Sequence, residues 1–88
     1  MIIGKVVGSI IATRKSEKLI GSKFMIVEPL EKQDALGKSM VAVDSVGAGI
    51  GETVLVALGS AARIGCNLPD APIDAAIVGI VDQENRLG

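Results

Sequence analysis

Five apolar runs rich in valine and isoleucine dominate this chain, and each is cut short by glycine, proline or charge. They cover residues 2–13, 19–30, 39–46, 52–58 and 73–82. β-Branched side chains are stiff at χ1 and pack well on a pleated surface, and eleven glycines favour tight turns over helices. Short strands at these intervals predict an all-β fold, a small five-stranded barrel.

The first run fixes much of the reading. In Ile2–Thr13, strict alternation puts Ile2, Val6 and Ile10 on one face and Ile3, Val7 and Ile11 on the other. Both faces are apolar, so both should be covered. Gly4 and Gly8 fall on the face of Ile2, where they permit curvature or close backbone approach. A charged turn, 14–18, leads to a second strand, Leu19–Leu30, with Phe24-Met25-Ile26-Val27 at its centre and Pro29 at its end. The polar connection 31–38 admits one helical turn. Ser39–Val46 and Glu52–Leu58 read as the third and fourth strands. Gly59–Ile64 is expected to form one short helical turn with Ser60 as its N-cap. A loop punctuated by Pro69 and Pro72 precedes the last strand, Ile73–Asp82, and 83–88 is a polar tail.

Residues 1–88 read as one domain. A chain of 88 residues buries only about 60% of its unfolded surface, so its own core is marginal. Yet 49% of its residues are hydrophobic. Burial against identical subunits resolves the conflict, because obligate interfaces resemble a core cut in half. The net charge of −1 gives no general attraction to nucleic acid. It is unevenly spread: seven basic against four acidic residues in 1–38 (net +3), and two against six in 39–88 (net −4). Cys66 is the only cysteine, which excludes an intrachain disulfide and fits a reducing compartment. The N-terminus lacks the basic region and cleavage site of a signal peptide, and no apolar run reaches the roughly 20 residues that span a bilayer.

The glycine-dense loop is the obvious candidate for chemistry. Gly47, Gly49 and Gly51 give G-x-G-x-G, but Glu52 stands where a dinucleotide fingerprint has its third glycine, and the loop leads into Thr53-Val54-Leu55-Val56, a strand pattern. No Gly-Lys-Ser/Thr follows. The loop is therefore read as a hairpin turn that needs positive φ. The chain has no histidine, which removes Ser-His-Asp and Cys-His arrangements, and a single cysteine builds no metal site. Cys66 is read as a passive small side chain. Asp44, Glu52, Asp74 and Asp82 stand at strand ends, where carboxylates face water or pair with a base; Asp74 with Arg63 is the expected ion pair, within or between subunits. An oligonucleotide-binding barrel would present a basic groove and aromatic platforms, but Phe24 is the only aromatic residue.

Three stretches carry a family likeness: MIIGKVVGSIIAT at the start, VAVDSVGAGIGETVLVALGSAAR in the middle and PIDAAIVGIVD at the end. Together they resemble the small vertex proteins of bacterial microcompartments, which include carboxysome, ethanolamine-utilisation and propanediol-utilisation shell components. The resemblance implies a five-stranded barrel similar to an oligonucleotide-binding fold, assembled as a homopentameric ring. It implies a non-enzymatic shell component, without cofactor, that meets hexameric shell proteins and binds neither nucleic acid nor membrane. Gly59, Ser60, Ala61, Ala62 and Arg63 match the family's small-residue cluster, with Ala61 where relatives often carry serine. With Gly47, Gly49, Gly51 and Asp74, that cluster is expected at the subunit contact or central opening. The alternative is a barrel-type module that binds nucleic acid or a small ligand; an enzyme using Asp44, Glu52 or Asp74 is a third.

Overall fold

In the computed structural model, residues 1–12, 15–30 and 38–82 are described. The elements run β1 (Ile2–Ile10), a 3-10 turn (Glu17–Leu19), β2 (Lys23–Pro29), β3 (Met40–Asp44), β4 (Thr53–Leu58), α1 (Ser60–Gly65) and β5 (Ala75–Ile80). The strands close into a barrel in the order β1-β2-β3-β5-β4. All neighbours are antiparallel except β3 and β5, which run parallel through Val43 opposite Ala76 and Asp44 opposite Ile77. Strand alternation sorts the side chains into two clusters. Val6, Met25, Val27, Ala42, Val54, Val56, Ala75 and Ile77 fill the barrel. Val43, Ala62, Ala71, Ile73 and Ala76 form a smaller cluster outside it, beneath α1 and the 66–73 loop, with Leu19 and Phe24 packed alongside.

All five strands exist where expected, and each is shorter than its apolar run. β1 stops at Ile10 because Phe24, near the start of β2, is its last partner. Leu19–Ser22 do not extend β2: the 3-10 turn, with Ser16 as its N-cap, and Gly21 at φ +89 turn the chain there. β3 stops at Asp44, which is its last partner on both β2 (Lys23) and β5 (Ile77), and the Ser45 N–H and Oγ close that end of the ladder by donating to the Ile77 carbonyl. The helical turn expected within 31–38 falls outside the described residues apart from Lys38, and so does the tail 83–88.

The two-faced reading of β1 needs correction. The register of β1 on β2 shifts between Val6 and Gly8, a bulge that opposes an extra residue to one on the partner. Beyond it, Gly8 faces Ile26 and Ile10 faces Phe24, on the outer surface, so neither shares the face of Val6. Val7 is exposed and Ile3 half-buried. A single copy covers one face of β1 and leaves the other open. Gly4 does have the predicted close approach: a Cβ there would lie 2.5 Å from Val27 Cγ1 and 3.0 Å from the Glu28 carbonyl oxygen.

Candidate assembly surface

The sequence points to three glycines, a small-residue cluster and one carboxylate. The glycines sit in the segment joining β3 to β4. That segment is not a hairpin turn, because β3 pairs with β2 and β5, whereas β4 pairs with β1 and β5. The loop instead crosses one end of the barrel, and buried Ala48 closes that end as part of the interior cluster. Hairpin and crossover glycine loops look alike in sequence, since both need left-handed backbone; only the strand order separates them. Positive φ is present at Gly47 (+80°) and Gly51 (+94°), but Gly49 does not share it.

Side chains and neighbouring backbone hold this loop closely. Asp44 Oδ1 accepts from the N–H groups of Val46 (3.0 Å) and Gly47 (3.1 Å). Glu52 Oε1 accepts from the Gly49 N–H at 2.6 Å. The Gly51 N–H donates to the Val6 carbonyl (2.8 Å), and the Val6 N–H to the Glu52 carbonyl (2.9 Å), which carries the β1–β4 ladder into the loop. Two carboxylates that sequence offered for acid–base work are thus engaged with loop backbone. What the loop displays is apolar: Val46 and Ile50 stand in solvent, Ile50 at 65% exposure.

The Gly59–Arg63 cluster starts at the other end of β4. Ser60 is the first helical residue and not the N-cap. Gly59 holds the cap position at φ 63° and ψ −141°, with no side-chain cap bond. Its N–H donates to the Asp74 carbonyl at 2.8 Å, which ties the helix start to the approach to β5. Ala61 is exposed, whereas Ala62 is fully buried against β4 and β5. The expected ion pair between Arg63 and Asp74 is not formed within the chain. The Arg63 guanidinium donates to the Ile73 carbonyl at 3.1 Å, one residue before Asp74, whose own residue is exposed. Within the chain the partner of Arg63 is thus a neighbouring carbonyl and not the carboxylate. Cys66 is a free, half-buried thiol packed beside the outer cluster, with Sγ 3.7 Å from the Arg63 carbonyl oxygen.

Gly47, Gly49 and Gly51 therefore lie apart from Gly59, Ser60, Ala61, Ala62 and Arg63, and only the second group is joined to Asp74. Sequence reasoning missed a third feature. Leu19, Phe24, Val41, Val43, Pro72, Ile73, Asp74 and Ala75 line a groove of about 170 Å³ beside β3. Val41, 49% exposed, forms its open edge. The signal was present as outward positions of β2 and β3, but which outward positions share a valley depends on where the 72–75 segment lies. Among the described residues no acidic, cysteine or histidine cluster could hold a metal ion. Among the same residues no helix is long and apolar enough to cross a membrane.

This closed five-stranded barrel has counterparts. Residues 1–82 match the family described as "Ethanolamine utilisation protein EutN/carboxysome". The chain belongs to this family. Among the family's named members, it is 48% identical to the bacterial microcompartment shell vertex protein GrpN of Rhodospirillum rubrum over 83 residues, 93% of each chain. It is 46% identical to the carboxysome shell vertex protein CcmL of Thermosynechococcus vestitus, over 98% of this chain and 88% of that one. The solved GrpN pentameric microcompartment shell protein from Rhodospirillum rubrum superposes with a TM-score of 0.84 at 43% identity, covering all of both chains. A solved ethanolamine utilization protein, EutN, gives 0.88 at 35% identity, over 98% of this chain and 91% of that one. The closed five-stranded barrel is thus the EutN/carboxysome family fold.

Proposed function

We infer that this chain is a structural shell protein whose homopentamers cap the vertices of a polyhedral bacterial microcompartment in the cytoplasm, and that it is not an enzyme. The observation that carries this reading is the full-length match, in sequence and fold, to relatives named as shell vertex proteins, one of them solved as a pentameric shell protein. The surface supports it. Val7, Val41, Val46 and Ile50 are exposed in the single chain, aliphatic positions of the kind that contact between copies would cover. Of the carboxylates that catalysis would recruit, Asp44 through Oδ1 and Glu52 through Oε1 are engaged with loop N–H groups.

The mechanism is geometric. A flat layer of six-fold tiles cannot close, and a five-fold unit at each corner removes a sector and bends the layer into a shell. Hexameric shell proteins are the partners this requires. An oligonucleotide-binding role is disfavoured by Phe24, the one aromatic residue, which is half-buried against the outer cluster instead of standing free as a stacking platform. The decisive experiment is native mass spectrometry of the purified chain, with symmetry-resolved imaging and an oligonucleotide titration. The expected result is a ring of five 9.0 kDa chains with no salt-sensitive oligonucleotide binding. A monomer that binds oligonucleotides overturns the reading.

A further inference from the structure

A closed ring of identical chains is held by heterologous contacts, so each copy must carry two different surfaces that fit each other. The structure supplies such a pair on opposite sides of the barrel. The first centres on Ile50. Its loop lies at the β1–β4 seam, because Gly51 and Glu52 bond to Val6 of β1 immediately before β4 begins. The second is the groove beside β3 lined by Leu19, Phe24, Val41 and Pro72. In a closed order β1-β2-β3-β5-β4, β3 is the strand opposite the β1–β4 seam. A knob on one side and a groove on the other cannot satisfy each other across a two-fold axis. They can do so head to tail.

Ile50 is presented on a loop whose backbone is held on both sides of it. Bonds from Asp44, Glu52 and Val6 fix the loop before any partner arrives. Docking it therefore loses little conformational entropy, the condition under which one buried side chain contributes most to association. Charge supports the same pairing. Exposed Lys5 lies on the seam, in register with Thr53, and exposed Asp74 lies on the lining of the groove.

We propose that the contact between neighbouring copies seats Ile50 of one chain in the Leu19–Phe24–Val41–Pro72 groove of the next, with Lys5 facing Asp74 across it. This rests on the homopentamer reading and adds the two surfaces that make it. The mass of the unmodified chain is measured first, so that loss of the ring reading is separated from loss of this contact. Given a ring, Ile50→Asp and Val41→Asp should each convert five-chain mass to 9.0 kDa monomer, while circular dichroism reports a retained β fold. Ile64→Asp, at an exposed helix position outside both surfaces, should leave the ring intact. In a Cys66→Ser background, the double variant Ile50→Cys and Val41→Cys treated with a short bis-maleimide should give a covalent ladder up to five chains. Each single cysteine variant should stay uncrosslinked within the ring. Rings that survive both aspartates, or crosslinked dimers from either single variant, overturn the proposal.

Discussion

Arg63 shows how far one side chain's role depends on its surroundings. Its guanidinium reaches the Ile73 carbonyl, 3.1 Å away, and so links α1 to the segment before β5. Arg63→Ala removes a charge-assisted bond from a half-exposed site and should cost about 1 kcal/mol. Asp74→Ala should change stability by less than about 0.5 kcal/mol, because the group Asp74 contributes within the chain is its backbone carbonyl. Urea unfolding of both variants at one fixed protein concentration checks the order; equal losses would restore the ion pair. Gly4 is the opposite case, a residue defined by what it lacks. Gly4→Ala would press a methyl group against Val27 and the Glu28 carbonyl, and overpacking of this kind should cost about 1–3 kcal/mol. A lower urea midpoint with an unchanged slope is the expected signature.

At the scale of elements, α1 has only six residues and no side-chain cap, so packing must hold it. Ala62 supplies that packing, and the bond from the Gly59 N–H to the Asp74 carbonyl sets where the helix begins. Gly59 combines φ 63° with ψ −141°, a backbone state that a side chain resists. Nothing lies within 4 Å of where its Cβ would stand, so the cost of Gly59→Ala is conformational: about 1–3 kcal/mol. Ser60→Ala, with no cap bond to lose, should fall within about 0.5 kcal/mol of the parent. Thermal unfolding of the two variants side by side tests this; a larger loss at Ser60 would return it to the cap position.

For the whole molecule, the proposed ring would couple folding to assembly. The interior cluster is built mostly from valine and alanine, and its largest fully buried side chain is Ile77. Such a core gives a small chain modest stability by itself, and the proposed contact between Ile50 and the groove would add to it. Stability should then obey mass action. The unfolding midpoint of the parent should rise as concentration increases over two orders of magnitude, whereas Ile50→Asp should show no such dependence. Differential scanning calorimetry across that range checks it, and a concentration-independent parent would mean that the ring adds nothing to folding.

The five strands were legible in the apolar runs themselves, because burial on a pleated surface leaves a local mark on the residues that undergo it. The close approach at Gly4 and the positive φ at Gly47 and Gly51 were legible for the same reason: a backbone requirement selects glycine directly. Family membership was legible too, carried by the glycine loop, the G-S-A-A-R cluster and P-I-D-A-A in order along the chain. What the tertiary structure decided was everything that depends on which strand lies beside which. The β3–β4 loop became a cover over the barrel's end once β4 was found beside β1 and β5. The bulge at Val7 moved Gly8 and Ile10 to the outer surface. Within the chain the fold chose the Ile73 carbonyl over the Asp74 carboxylate as the partner of Arg63. The groove beside β3 combines Leu19, Phe24, Val41 and Pro72, which are far apart in the chain and share no local pattern. Side-chain chemistry is written residue by residue, but adjacency across a closed barrel is set by long-range pairing, and that is a property of the folded chain alone.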